Sequence, residues 1–322
     1  MSRRQGMPEV SEKAGENKGK WLKIELSASP FLVDALSNFL TEIGAQGVFQ
    51  EELEPHAPGD FGAASAKEVL KAYLPFDIRL EHRIASLKTY LDSLIYLFPE
   101  IDELDFTTET IVDQNWGEEW KKYFKPLRVS KNIVIKPTWE RYTPAGRDIV
   151  IDIDPGMAFG TGQHPSTRMC LEAIEEVILK DRAIKNWRVL DVGTGTGILG
   201  IACAKLGADK VICVDIDKKA ADIARENVAV NHVEDRTQII NRDVSTIHEK
   251  FDLIVANLTM RILLRLRTHL MSLIENAGYL VISGIIDQNR NDIESHFLTD
   301  VFALHHLIAE KEWVCYVLQK KR

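Results

Sequence analysis

The stretch Val189-Leu-Asp-Val192-Gly193-Thr194-Gly195-Thr196-Gly197-Ile198-Leu199 constrains this chain most. A short apolar run rich in β-branched residues reads as a buried strand, and a helical pattern follows it. Between them, glycines at every second position tolerate φ > 0 and carry no Cβ, so the backbone can lie flat against a ligand. A nucleotide-like cofactor is the first ligand such a turn calls for; an ordinary strand-to-helix turn is the plainer reading.

Downstream, strands and helices alternate. Strands are expected at 188–192, 210–215, 237–242, 251–256 and 279–283, and helices at 197–206, 218–231, 259–274 and about 288–298. Crossover helices between strands give a mostly parallel sheet covered on both faces, the α/β class. Two closing strands, 302–309 and 313–318, are separated by only three residues and form an antiparallel hairpin.

Upstream, residues 20–112 carry a different pattern. Trp21 to Leu26 alternates like a half-buried strand, and Pro30 to Ile43 holds apolar residues at helical spacing with Pro30 in the first turn. Further strands are expected at 47–51, 69–74 and 103–108, and a helix at 84–98. The order β-α-β-β-α-β is the split βαβ, ferredoxin-like pattern, a small α+β domain without a catalytic-looking cluster. Residues 20–113 hold 17 acidic against 7 basic side chains, a balance that repels a phosphate backbone and attracts a basic partner. Residues 1–19 read as a disordered tail. Residues 113–150 read as a linker in which Trp116, Trp120, Tyr123 and Phe124 give a short helix one aromatic face. A domain from 151 to 322 completes the chain.

Several classes drop out. No run approaches the ~18 apolar residues of a membrane span, and the N-terminus has no apolar signal core. Cys170, Cys203, Cys213 and Cys315 lie far apart with no C-x-x-C pair, so buried free thiols in a reducing cytoplasm are expected, with no metal site. The segment Asp154-Pro-Gly-Met-Ala-Phe-Gly160-Thr-Gly162-Gln-His164-Pro-Ser-Thr167 folds tightly over something, yet it lacks the Lys of a phosphate loop. His164 within it is read as a structural hydrogen-bonding group.

The glycine spacing is G-x-G-x-G, and Ile198 fills the slot where a dinucleotide fold needs its third glycine. S-adenosylmethionine has no pyrophosphate and needs only a close, flat turn. Asp215 ends the next strand, placed to accept both ribose hydroxyls. Asn257 ends the fourth strand, where an amide can orient an amine; capping the helix from Thr259 is its alternative.

At these residues the chain resembles the ribosomal protein L-eleven methyltransferase family, from Trp21 to the C-terminus. Asp154 to Thr167 is close to that family's D-P-G-x-A-F-G-T-G-x-H-P-x-T. Asp113-Gln-Asn-Trp116 resembles its linker, and Val214-Asp215-Ile-Asp217, Ala256-Asn257 and Ser283-Gly284-Ile285 match later landmarks. The resemblance implies a class I methyltransferase Rossmann-like sheet. It also implies S-adenosylmethionine contacts from Thr167, Gly193, Asp215 and Asn257. The implied substrate is a basic ribosomal protein of the large subunit, docked by the N-terminal domain and methylated on lysine and N-terminal amines, with neither nucleic acid nor membrane as partner. Leu258-Thr259-Met260 departs from the family's Ile-Leu-Ala after Asn257. A lysine methyltransferase for another protein, or a non-catalytic S-adenosylmethionine-binding module, would share most of these features.

Overall fold

A computed structural model describes residues 20–45, 48–51, 68–98, 104–112, 121, 124–154, 160, 162–181 and 186–321. The expected tail and most of the aromatic stripe before Phe124 lie outside the described residues. The chain divides into two compact units, 1–123 and 124–322.

In the first unit the elements run β1 (Lys20–Ala28), α1 (Pro30–Glu42), β2 (Val48–Glu51), β3 (Glu68–Pro75), α2 (Leu80–Leu97) and β4 (Phe106–Val112). The sheet order is β2-β3-β1-β4, all antiparallel, which is the ferredoxin-like arrangement. Ile24 and Leu26 of β1 alternate inward to meet Leu36 and Leu40 of α1 and Leu87 and Leu91 of α2 in one core. β4 begins three residues later than its expected start at Glu103 and runs on to Val112. Its later residues Thr110, Ile111 and Val112 pair with Leu22, Trp21 and Lys20, so ladder pairing extends the strand past Thr108.

The second unit opens with β5 (Leu127–Arg128), β6 (Ile133–Lys136) and β7 (Ile149–Asp152), a three-stranded sheet. Only β7 is expected from the sequence pattern; β5 and β6 are too short to show one. Then come α3 (Pro165–Lys180), β8 (Arg188–Val192), α4 (Ile198–Lys205), β9 (Lys210–Asp215), α5 (Lys218–Val230), β10 (Thr237–Asn241), β11 (Phe251–Asn257), α6 (Met260–Leu273), β12 (Ile274–Ile286), α7 (Arg290–Phe297), β13 (Phe302–Glu310) and β14 (Trp313–Lys320). The large sheet has the order β10-β9-β8-β11-β12-β14-β13, and β14 alone runs against the direction of the other six strands.

Side-chain alternation builds two cores. Val189, Val211, Val255 and Val281 face one way, onto α3, α4 and Val228 of α5. Leu190, Ile212, Ile254 and Ile282 face the other way, onto Leu263 and Leu270 of α6 and Phe297 of α7. β12 starts five residues before its expected Tyr279, directly after α6. Ile274 pairs with Phe251, and a register shift follows in which Ala277 takes φ 62°. The turn-like Glu275-Asn276-Ala277-Gly278 is therefore absorbed into the strand as an irregularity.

Candidate functional site

Strand order reverses at β8: β9 and β10 lie on one side, β11 and β12 on the other. Ligands of open α/β sheets bind at such a switch point, outside the carboxyl ends of the strands. Register aligns the site there. Val192 pairs with Val214 of β9 and with Ala256 of β11, so the residues that follow, Asp215, Gly193 and Asn257, fall in one row across three strands.

Gly193, Gly195 and Gly197 all have positive φ (69°, 55° and 86°). The Gly193 and Thr194 amides donate to Val214 O at 2.9 and 3.1 Å, binding the turn to the end of β9. Asp215 closes it from the side: Oδ2 accepts from Gly195 N at 3.0 Å and Oδ1 from Asp217 N at 2.9 Å. Each oxygen keeps a lone pair for a hydroxyl. Ile216, beside it, is 73% exposed, an apolar face next to a carboxylate.

The segment ending at Thr167 meets the turn directly, although 155–159 and 161 lie outside the described residues. Thr196 Oγ1 donates to Gly160 O at 2.6 Å. At Gly162 (φ 83°) an added Cβ would come within 2.1 Å of Ile135 Cδ1, so β6 backs the segment closely. His164 accepts from Ser166 N and precedes Pro165 at the start of α3. Its ring is edge-on to Trp313 at 4.8 Å between centroids. Burial, with the charges of Arg168 and Lys311 nearby, pushes the imidazole down to about 4, so it is neutral at physiological pH. Arg168 pairs with Glu310 and donates to Gln163 O at 2.8 Å.

Asn257 reaches across to α3: Nδ2 lies 3.1 Å from Ser166 Oγ and 3.3 Å from Thr167 Oγ1. Thr259, not Asn257, is the N-cap of α6, and the hydrogen bonds of the Asn257 side chain go to α3 instead of the start of α6. Thr167, Gly193, Asp215 and Asn257 thus fall together at the carboxyl end of the sheet, around the switch point.

Three positions escaped the sequence reading. Asp191 is buried at the end of β8, where Oδ2 accepts from Thr194 Oγ1 at 2.5 Å and Gly200 N at 3.0 Å while Oδ1 has no partner. Burial raises its carboxyl to about 6. Asn241 donates to Asp215 O at 2.9 Å and Ile216 O at 3.1 Å, bracing the segment that carries the carboxylate. Asn227 of α5 donates to Thr196 O at 2.8 Å. A carboxylate inside an apolar strand was a legible signal for Asp191; the two asparagines gave none, since only the fold brings them to the turn. The four cysteines are free and buried, as expected.

Asp215 and Asn257 supply oxygens, and Arg168, the arginine next to Thr167, already holds Glu310 and a carbonyl. The sheet order, the lone antiparallel β14, the glycine turn and the acidic end of β9 together define a class I methyltransferase. Comparison narrows the class: the family model for ribosomal protein L11 methyltransferase matches residues 20–321, and this chain belongs to that family. A ribosomal protein L11 methyltransferase of Geotalea daltonii is 36% identical over 312 residues, spanning 92% of this chain and 97% of that protein. One from Bacillus velezensis is 33% identical over 320 residues, 94% and 100% respectively. The crystal structure of a ribosomal protein L11 methylase from Lactobacillus delbrueckii subsp. bulgaricus matches with a TM-score of 0.54 at 33% identity, covering 62% of this chain and all of that one.

Proposed function

We propose that this chain transfers methyl groups from S-adenosylmethionine to lysine ε-amines and N-terminal amines of ribosomal protein L11, in the cytoplasm. The observation that carries the reading is the row Asp215–Gly193–Asn257 at the sheet's switch point, in a chain matched by the family model over residues 20–321. Asp215 would hold the ribose hydroxyls, Ile216 would shield the purine, and the flat turn at Gly193 would lie under the aminoacyl end, with Thr167 over it. When bound, the cofactor supplies an electrophilic methyl on a sulfonium.

The protein's own task is orientation. Held geometry is worth about 7–11 kcal/mol in such displacements, and no nucleophile from the chain is required. Asn257 accepts from the target amine and aims its lone pair. Burial of a lysine ammonium lowers its pKa, which favours loss of its proton to water before transfer. The acidic balance of residues 20–113 supports the first unit as the part that docks a basic protein, with no role for nucleic acid.

Labelled S-adenosylmethionine incubated with the enzyme and unmethylated ribosomal proteins should mark chiefly L11, and mass spectrometry of that band should locate methyls on amines. Label in RNA or in another protein refutes the substrate, and cofactor binding without transfer to any fraction refutes the activity.

A further inference from the structure

Which end of the Asn257 amide meets the target follows from hydrogen bonds two residues away. Ser166 N donates to His164 Nδ1 at 3.2 Å, so that ring nitrogen presents a lone pair. Ser166 Oγ lies 2.7 Å from the same nitrogen and must therefore donate its hydroxyl hydrogen there. With that hydrogen spent, Oγ can only accept from the Asn257 side chain 3.1 Å away, and only the amide nitrogen can supply a proton. Thr167 Oγ1, at 3.3 Å from Nδ2, takes the second hydrogen. Both donors of Asn257 are then committed to α3. Its Oδ1 has no hydrogen-bond partner among the described residues. Beside it stands Gly284, where an added Cβ would lie 3.1 Å from that oxygen. The absence of a side chain at 284 keeps the oxygen open.

We propose that His164 and Ser166 are positioning residues that lock the Asn257 amide with its nitrogen toward α3, leaving Oδ1 as the one group it offers, an acceptor for any N–H of the target amine. This rests on the reading of Asn257 as the amine-orienting side chain. His164 stays away from the reacting atoms and acts through Ser166. The relay has a fixed direction, from amide nitrogen to hydroxyl to imidazole. Reversing it would require a proton on His164 Nδ1, which the Ser166 amide already opposes.

The test compares Ser166→Ala, Ser166→Thr, Asn257→Ala and the double variant Ser166→Ala/Asn257→Ala in the full-length enzyme. Ser166→Ala should lower kcat about tenfold, the loss expected when one hydrogen bond stops holding its partner, with the Kd for S-adenosylmethionine unchanged within about twofold. Ser166→Thr keeps the hydroxyl and should restore kcat. The double variant should be no slower than Asn257→Ala, because both changes remove one device. Without any substrate, the two side-chain amide protons of Asn257 should exchange slowly by NMR in the parent and rapidly in Ser166→Ala. Should the alanine variant fail to fold, Ser166→Cys, which keeps the volume and weakens the hydrogen bond, is judged by the same criteria. Unchanged kcat and exchange in the Ser166 variants, or losses that multiply in the double variant, overturn the lock. If Asn257→Ala itself transfers methyl at the parent rate, the orienting role of Asn257 fails and the lock falls with it. Loss in Asn257→Ala without loss in Ser166→Ala overturns the lock alone.

Discussion

The Gly195 amide and the Asp215 carboxylate, twenty residues apart in sequence, meet at 3.0 Å, so the end of β9 helps shape the turn that follows β8. One oxygen of Asp215 holds the glycine turn and the other holds Asp217 N. The side chain that is expected to bind ribose is therefore also part of the frame around it. Asp215→Ala should raise the Kd for S-adenosylmethionine about 10–100-fold, corresponding to about 1.5–3 kcal/mol for hydrogen bonds to a charged group. Calorimetric titration checks it, and unchanged affinity refutes the assignment.

Asn241 touches the same segment through Asp215 O and Ile216 O. Asn241→Ala should weaken cofactor binding about tenfold, since each lost hydrogen bond is worth about 1 kcal/mol. The KM for the protein substrate should stay fixed. A rise in both KM values to the same extent would indicate general damage to the unit.

Two glycines invite a direct comparison. An added Cβ at Gly193 would come within 2.5 Å of Leu258 Cδ2, the tip of a flexible side chain. At Gly284 it would come within 2.6 Å of Leu258 O, which is backbone. Both positions have positive φ, which costs an alanine about 1–2 kcal/mol. Gly284→Ala should therefore be the more destabilising by chemical denaturation, because a carbonyl cannot rotate away. Equal losses would mean that β12 yields as readily as a leucine rotamer.

Asp191 and His164 give opposite pH dependences. The buried Asp191 carboxyl keeps its proton up to about pH 6 in the folded chain, whereas an unfolded Asp loses it near 3.8. Its stabilising contribution is complete below pH 3.8 and is lost as pH rises through 6. His164 is depressed to about 4 from 6.5, so its contribution is present above pH 6.5 and lost as pH falls through 4. Between pH 4 and 6 the two slopes offset each other. Asp191→Asn removes the falling one, so the variant's melting temperature should climb more steeply over that range than the parent's. An identical profile would show that Asp191 is ionised throughout.

An amide that presents only an acceptor also discriminates among methylation states. A neutral primary amine offers two N–H groups, a secondary amine one and a tertiary amine none. Asn257→Ala should slow the first and second additions to a given nitrogen and leave a third nearly unaffected. Single-turnover mass spectrometry on unmethylated and dimethylated substrate measures the contrast, and an equal loss at every step contradicts it.

The class of fold was legible in the sequence, and so were the residues that meet at the switch point. Glycines at 193, 195 and 197, the carboxylate at 215 and the amide at 257 stand at strand ends, and strand ends are readable because apolar runs stop there. In a parallel sheet those ends converge, so Asp215, Gly193 and Asn257 could be grouped before any register was known. Local periodicity does not report what pairs with what. It missed β5 and β6, which are short and held by pairing, β5 with β6 and β6 with β7, and it cut β12 to less than half its length. Nor could it see the supports of the site: Asn241 beneath Asp215, Asp191 beneath Thr194, and Ser166 between His164 and Asn257. Those contacts join residues as far as 91 positions apart, and their direction depends on which atom already holds a hydrogen. The sequence alone chose the glycine turn and the groups around it; only the tertiary structure decided which way the amide of Asn257 points, because that is set by a chain of donors and acceptors assembled from separate elements.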